Sequence, residues 1–310
     1  EVLPGRPMEY EITLPARCDP AAPLPFLVSI SGTEQRHVNG FSRRLPSDSW
    51  AVAVPLRPPG APLLFEGCGA EGDGVWHLRE FCKHLLERFN VEGGRFLLVG
   101  VSNGGNSVLR FAMLWPELCR GLVVVTSGIS VKPRDLGCLR GLPIDMYVGS
   151  KDECGFYPPM LELEASLRAA GQAPPASLTV FEGAGHCCSP MVDQHLLLGK
   201  IHLMLLRSGA PGRTVRLAAP VAGILTADEI LAHFCAFCED LGLEYELPSQ
   251  GGLLARLPAG PAPALRQAAA AKICVVRSRG PCPIDPNTPS AQTPTARAPP
   301  SPLCAASPLR

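Results

Sequence analysis

Apolar and polar positions follow two periods along the first two thirds of the chain. Short apolar runs bounded by proline or glycine are typical of strands buried on both faces of a sheet, whereas apolar positions spaced three and four apart predict amphipathic helices. Residues 8–15 alternate more regularly and predict an antiparallel edge strand. The predicted core strands are 26–30, 50–56, 95–100, 121–128, 143–149 and 177–183, and the predicted helices are 74–89, 106–115, 158–171 and 191–209.

The order of these elements predicts the fold class. Strands that alternate with helices form a mostly parallel sheet with helices on both faces, which is an α/β architecture. Gly171 and Gly209 stand where the last two helices should stop, as helix C-termini require. The sequence therefore predicts one α/β domain over residues 8–209.

Residues 213–278 have a different pattern, which predicts a small module. Their runs read β-α-β-β-α-β, the split β-α-β order of ferredoxin-like domains, and resemble an RNA-recognition-motif domain. The third strand of that motif stacks bases on aromatic side chains, but the stretch 251–257 offers leucine and alanine. We therefore expect a packing or protein-interaction module and no nucleic-acid partner.

The C-terminal residues 281–310 are predicted to be disordered. Nine of these thirty residues are proline, aromatic residues are few and no apolar period is visible. Such a segment buries too little apolar surface to offset its chain entropy. It is a candidate docking segment for a protein partner.

Composition narrows the function classes. Lys+Arg and Asp+Glu are balanced at 28 each, so no net field attracts nucleic acid or an anionic membrane. No apolar run reaches the length of a membrane span. The chain begins at Glu1 rather than Met, which leaves a longer protein and a targeting segment open.

The thirteen cysteines do not resemble a disulfide framework, because their number is odd and they are scattered along the chain. This favours a cytoplasmic location. Cys235 and Cys238 have CxxC spacing, but no second ligand pair follows at zinc-site spacing. Packing is the preferred interpretation of this pair, and no metal or organic cofactor is expected.

A candidate nucleophile lies in the stretch FLLVGVSNGGNSVLRFA, residues 96–112. Gly100, Ser102 and Gly104 match G-x-S-x-G between a predicted strand and a predicted helix. Small neighbours allow the sharp turn that lifts such a serine above the sheet, and the following helix directs N–H groups at developing negative charge. Nucleophilic serine is favoured over a purely structural turn.

A base and an acid follow at later strand ends. Asp152 comes just after the strand 143–149, and His186 just after the strand 177–183. Because carboxyl ends of parallel strands share one edge of the sheet, Ser102, Asp152 and His186 are expected to meet there. The chain order Ser, Asp, His is that of hydrolases with this strand–turn–helix motif.

Competing residues fit less well. Asp145 opens its strand and should face away from this edge, and Asp193 is interpreted as a first-turn helix charge. Cys187 and Cys188 flank the candidate base, but Ser102 has the better geometry for a nucleophile. The remaining candidates are helix histidines, interpreted as partly solvated: His77, His84, His195 and His202.

The oxyanion hole should consist of backbone N–H groups. One belongs to Asn103, directly after the nucleophile, and the second to the loop after the first core strand, with Thr33 as first choice and Gly32 as second. The candidate pocket residues are His37, Phe65, Trp76 and Tyr157; for the three aromatic residues ordinary packing is an equal alternative.

The motifs GVSNGG (100–105), GSKDE (149–153) and GAGHCCSP (183–190) resemble those of the α/β-hydrolase superfamily. The similarity is to its compact serine esterases, carboxylesterase/acyl-protein-thioesterase-like or polyhydroxybutyrate-depolymerase-like, and covers residues 8–208. It implies Ser102 as nucleophile, His186 as base and Asp152 as acid. Ser31-Gly32 replaces the usual His-Gly of the oxyanion loop, and the acid loop runs ECGFYPP in place of a valine-proline stretch.

The function expected is therefore a serine hydrolase that cleaves small-molecule esters or acyl thioesters through an acyl-enzyme. Only residues 129–142 separate two core strands where a lid domain could stand, so the site should be open. Two alternatives stay open: a catalytically idle scaffold that binds proteins, and a serine peptidase of the same fold.

Overall fold

The computed structural model describes eleven stretches of the chain. They are residues 8–19, 21–32, 41–56, 69–129, 133–171, 176–186, 194–209, 213–218, 225–249, 251–258 and 274–277.

Eight strands form one large sheet in the order β1-β3-β2-β4-β5-β6-β7-β11. β1 is antiparallel to β3, and the other neighbours are parallel. The predicted α/β class and the antiparallel edge strand are thus confirmed. The strands are β1 (Glu9–Thr13), β2 (Leu24–Ile30), β3 (Ala51–Leu56), β4 (Val91–Val101), β5 (Cys119–Val125), β6 (Ile144–Gly149), β7 (Ser177–Glu182) and β11 (Cys274–Arg277).

Helices cover both faces of this sheet, because successive strand residues point to opposite sides and both sides are apolar. In β2, Phe26 and Val28 pack with one core and Leu27 with the other. The first core is covered by α1 (Gly74–Arg88), α2 (Asn103–Leu114) and α3 (Tyr157–Ala169), the second by α4 (Gln194–Arg207) and α5 (Ala227–Leu241).

The C-terminal region begins as predicted and then departs from the prediction. A second sheet has the antiparallel order β8-β10-β9, with β8 (Thr214–Leu217), β9 (Glu244–Glu246) and β10 (Leu253–Arg256), and α5 joins its first two strands. This is a split β-α-β unit. The fourth strand, β11, instead pairs in parallel with β7 of the large sheet.

A separate four-stranded ferredoxin-like module is therefore not what residues 213–278 form. The apolar pattern of β11 predicts a strand but does not specify its partner, and in the structure the partner is β7. The second predicted helix of the module, residues 262–271, and the tail 281–310 lie outside the described residues.

The split unit packs on the rest of the protein through α4 and α5. Gly199 leaves room for Phe234, since a Cβ at that position would overlap the phenyl ring. Both helices contribute to one continuous apolar core with Tyr147 of β6 and Leu253 of β10. The C-terminal region thus completes one face of the α/β sheet.

A buried ion pair lies at this contact. Lys200 of α4 is 2% exposed and Asp145 of β6 is 0% exposed, with Lys200 Nζ 2.8 Å from Asp145 Oδ1. Tyr147 and Ser177 also donate hydrogen bonds to the carboxylate, and Phe237 of α5 places its ring centroid 4.9 Å from the ammonium. A buried charge needs such partners to offset its desolvation. Asp145 lies near the start of β6, at the end of the strand opposite to Gly149, as predicted.

Within the described ranges, no helix has the length and apolar character that crossing a bilayer requires.

Candidate active site

Ser102 lies on a strained turn between β4 and α2. Its φ of 55° and ψ of −129° fall outside the regions that L-residues ordinarily occupy, which costs about 1–3 kcal/mol. The backbone N–H of Ser102 donates to Val125 O at 2.9 Å, and Gly105 N–H donates to Ser102 O at 2.8 Å. Its hydroxyl does not cap the helix, so it is available for other contacts.

Close backbone contacts explain the glycines around Ser102. A Cβ at Gly100 would lie 2.5 Å from Gly104 O, and one at Gly104 would overlap Ile30 O at the end of β2. Gly105 lies equally close to Ser127, since a Cβ built on Gly105 would be 2.4 Å from Ser127 Cβ. Only glycine lets the start of α2 approach β2 and β5 so closely. The turn at Ser102 therefore depends on close backbone packing as well as on a strained backbone conformation.

His186 links the serine to a carboxylate. His186 Nε2 lies 3.0 Å from Ser102 Oγ, and His186 Nδ1 lies 3.0 Å from Asp152 Oδ2. The residues come from the turns after β4, β6 and β7, whose carboxyl ends meet at one edge of the sheet. The structure thus brings together the three residues that the sequence predicted to meet.

The turn after β6 orients the Asp152 carboxylate. Asp152 is 9% exposed, and its Oδ1 accepts from Cys154 N at 2.9 Å and from Phe156 N at 3.4 Å. With Oδ1 held by two N–H donors, Oδ2 is directed at His186 Nδ1. An ionised carboxylate there favours the tautomer that carries its proton on Nδ1 and leaves Nε2 as an acceptor.

Two side chains that the sequence analysis did not select hold the histidine. Glu153 Oε2 accepts from His186 N at 2.7 Å, and this bond lowers the pKa of the Glu153 carboxyl below its usual value of 4.5. Phe156 stacks on the imidazole with ring centroids 5.4 Å apart and an interplanar angle of 26°. A Cβ at Gly185 would lie 2.5 Å from Glu153 Oε2, so a larger residue at this position would displace the carboxylate. Their one signal in sequence is proximity to Asp152.

A second strained residue supports the turn from β5. Thr126 has a φ of 46° and is fully buried, and its N–H donates to Tyr147 O at 2.7 Å. Next to it, Ser127 Oγ donates to Asn106 Oδ1 at 2.8 Å, which fixes the end of β5 to the first turn of α2. The serine turn is therefore held from both neighbouring strands.

The candidate oxyanion donors lie partly within the described residues. Asn103 is the first residue of α2, where backbone N–H groups have no partner within the helix. Gly32 is beside the serine, since a Cβ built on it would lie 3.2 Å from Ser102 Cβ and 3.4 Å from Ser102 Oγ. Thr33 lies outside the described residues.

The predicted pocket residues stay predictions. His37 and Phe65 lie outside the described residues, as do Cys187, Cys188 and Asp193. Trp76 is in α1, where it contacts His77, and Tyr157 opens α3 and packs partly buried against the first core.

The prediction that the helix histidines are partly solvated is wrong for His77, which is buried. His77 is 8% exposed, and burial lowers the pKa of His202, which packs against Trp50, to about 4. His84 accepts or donates a hydrogen bond with Tyr10 Oη at 3.1 Å.

Desolvation raises the pKa of Cys238 to about 12, as expected for a packed thiol.

Comparisons with known proteins give a likeness in fold. Neither a protein-family model nor a curated protein matches the sequence. Est1E from Butyrivibrio proteoclasticus, solved with ferulic acid, superposes with a TM-score of 0.50 at 11% identity over 64% of this chain and 95% of that one. A provisionally named dipeptidyl aminopeptidase IV from Bacteroides ovatus gives 0.51 at 16% identity over 63% and 33%.

A thermostable esterase matches at 18% identity and a TM-score of 0.48, over 57% of this chain and about half, 51%, of that one. At such identities the likeness concerns the fold alone. The strand order, the parallel sheet with helices on both faces and these superpositions agree with one another. The chain therefore has the α/β-hydrolase fold that its motifs resemble.

Proposed function

We propose that this protein is a serine hydrolase that cleaves carboxylic esters or thioesters through an acyl-enzyme. The observation that carries the proposal is the pair of 3.0 Å contacts that join Ser102 Oγ to His186 and His186 to Asp152. Hydrogen-bond reach from nucleophile to base and from base to an orienting acid is the geometric requirement of this chemistry.

In the first half of the reaction Ser102 Oγ attacks the acyl carbonyl while its proton passes to His186 Nε2. The negative charge that develops on the carbonyl oxygen is stabilised by Asn103 N–H and by a second N–H from the loop after β2. His186 then gives the proton to the leaving alcohol or thiol, and the acyl group remains on Ser102.

In the second half His186 Nε2 takes a proton from water, which attacks the acyl carbon. The carboxylic acid leaves and Ser102 regains its proton. Throughout, Asp152 keeps the Nδ1 proton in place and stabilises the imidazolium, and Phe156 limits rotation of the ring. No step requires a metal ion or an organic group.

The substrate side of the proposal rests on the small size of the connections near the site. In the segment between β5 and β6, the described residues include a short 3-10 helix, Pro133–Leu139, and the segment is too short for a lid domain. We expect an open site suited to small soluble esters or to acyl groups presented by a larger partner. Because Est1E was solved with ferulic acid, an aromatic ester belongs in the substrate panel.

Fluorophosphonate labelling tests the proposal directly. Wild-type protein should be labelled, and Ser102→Ala should not. Ser150→Ala is the matched control, because Ser150 lies at the same edge of the sheet with its hydroxyl bonded to Glu182. Absence of labelling in a folded wild type, confirmed by circular dichroism, would refute an activated serine and favour the binding-scaffold alternative.

A substrate panel then separates the enzyme classes. p-Nitrophenyl acyl esters, a ferulate ester and acyl thioesters should be hydrolysed, whereas peptide p-nitroanilides should not. The peptidase alternative draws on the likeness to the Bacteroides ovatus protein, of which this chain covers only 33%. Turnover of peptides faster than esters would establish that alternative.

A further inference from the structure

Three different metal-ligating side chains converge beside the serine. A carboxylate oxygen of Asp152, the thiol sulfur of Cys154 and a ring nitrogen of His186 all lie within 4.8 Å of one another. Asp152 is 9% exposed, His186 is half-buried and Cys154 is exposed, so the group opens to solvent on the side of the thiol. We propose that these residues form an inhibitory site for Zn²⁺ or a similarly thiophilic divalent cation.

The donor set points to this class of cation. Thiolate, imidazole and carboxylate are the ligands of Zn²⁺, whereas Mg²⁺ and Ca²⁺ take oxygen ligands. Two of the three ligands carry negative charge when bound, which balances a divalent cation. The Glu153 carboxylate lies next in the chain to Asp152 and accepts from His186 N at 2.7 Å, so a further acidic side chain borders the group.

The geometry needs only a small adjustment to bind the ion. With Zn–N near 2.0 Å and Zn–S near 2.3 Å, ligand atoms in a tetrahedral site lie about 3.3–3.6 Å apart. Here the three ligand atoms lie within 4.8 Å of one another, and His186 Nδ1 is 3.0 Å from Asp152 Oδ2. Cys154 is on an exposed turn followed by Gly155 at a φ of 82°. A small movement of this turn brings the thiol to ligand distance, and water takes the fourth position.

Metal binding and the proposed hydrolysis exclude each other. Both nitrogens of His186 are already used, Nδ1 at 3.0 Å from Asp152 and Nε2 at 3.0 Å from Ser102. A cation on Nε2 displaces the serine, and a cation on Nδ1 forces the ring proton onto Nε2. In either case Nε2 no longer accepts the Ser102 proton. The thiol of Cys154 releases its proton to solvent on binding, and no electron is transferred.

The inhibition part of this inference rests on the proposed function, but the binding part does not. Co²⁺ is a spectroscopic substitute for Zn²⁺, and a thiolate ligand gives a charge-transfer band in the near ultraviolet. We expect this band at one Co²⁺ per chain, displaced by Zn²⁺, in both the wild type and Ser102→Ala. We expect Cys154→Ser to lose the band, and Cys138→Ser to keep it, since Cys138 is an exposed thiol elsewhere on the surface.

Ester hydrolysis gives the second readout. Zn²⁺ should inhibit the wild type and EDTA should restore activity, and Cys154→Ser should raise the Zn²⁺ concentration for half-inhibition at least tenfold. Activities are normalised to each variant without metal. Equal inhibition of Cys154→Ser and wild type would overturn the proposal. So would loss of the band in Cys187→Ser/Cys188→Ser with its retention in Cys154→Ser, which would assign the thiol to another position.

The two proposals fail in different ways. A Cys154-dependent cobalt band without fluorophosphonate labelling would refute the hydrolase and leave the metal site standing. Labelling abolished by Ser102→Ala, without a cobalt band, would refute the metal site and leave the hydrolase standing.

Discussion

Replacing Asp152 by asparagine tests how the site sets the proton on His186. The Oδ1 position accepts from Cys154 N and Phe156 N, so in Asp152→Asn the amide oxygen must occupy it. The amide NH₂ then faces His186 Nδ1 and makes that nitrogen an acceptor. The ring proton moves to Nε2, which can no longer accept from Ser102.

The expected loss follows from this change of tautomer. For a triad acid changed to its amide, kcat falls by about 10⁴, which is about 5 kcal/mol in the activation barrier. The fold should be nearly unaffected, because the amide oxygen still accepts both N–H groups. Asp152→Ala instead leaves the Cys154 N–H without its acceptor, and should also lose about 1–3 kcal/mol of unfolding free energy.

The assay is p-nitrophenyl ester hydrolysis together with urea denaturation of each variant. Glu153→Gln is the matched control, since its amide oxygen can still accept from His186 N and it does not contact Nδ1. Its kcat should stay within about tenfold of wild type. If Asp152→Asn kept activity within tenfold while Ser102→Ala abolished it, Asp152 would not be the orienting acid.

Three further perturbations concern the scaffold. Gly104→Ala should lose activity and about 3 kcal/mol of stability, because the added methyl overlaps Ile30 O. Lys200→Met should cost about 3–5 kcal/mol by leaving the Asp145 charge buried and unpaired, and a second change of Asp145→Asn should recover part of the loss. Between pH 7.5 and pH 5 the unfolding free energy should fall by about 2 kcal/mol through His202, whose folded pKa of about 4 lies below its unfolded value of 6.5, so that the unfolded chain binds the extra proton.

Each of these has a control on the same protein. Gly137→Ala adds a methyl where no atom lies within 4 Å and should be neutral. Lys151→Met removes an exposed cation and should change the free energy of unfolding by less than about 0.5 kcal/mol, as is usual for surface changes. His202→Gln should abolish the fall of about 2 kcal/mol in unfolding free energy that is assigned to this imidazole. His195→Gln changes an exposed histidine and should leave that fall unchanged. A full pH dependence in His202→Gln would refute the assignment.

Much of the fold and the meeting of the three candidate residues followed from local sequence. Apolar periods located the core strands that the structure describes within residues 8–209, because each lies between helices and is buried on both faces. Ser102, Asp152 and His186 each follow a strand directly, so the parallel sheet brings their turns to one edge. The strand β4 begins at Val91 rather than at residue 95, since Val91 pairs with Leu24 of β2 before the register shifts and pairing resumes at Phe96.

What local sequence did not predict depends on distant contacts. The sequence of the run Cys274–Arg277 does not indicate which strand it pairs with. Its pairing with β7 depends on the edge that the large sheet leaves available. Lys200 and Asp145 each resemble an ordinary charged residue in sequence, and only the packing of α4 on β6 makes them a pair. Glu153 likewise becomes a support for His186 only when the turns after β6 and β7 meet.

The position of β11 has a consequence for synthesis of the protein on the ribosome. β7 is translated about 90 residues before β11, and β11 takes the free edge of β7, the strand that leads into His186. An open edge is a template for pairing with other chains. The nascent chain therefore carries an exposed edge beside its histidine turn until its C-terminal region emerges, and premature termination in that interval should yield an aggregation-prone product.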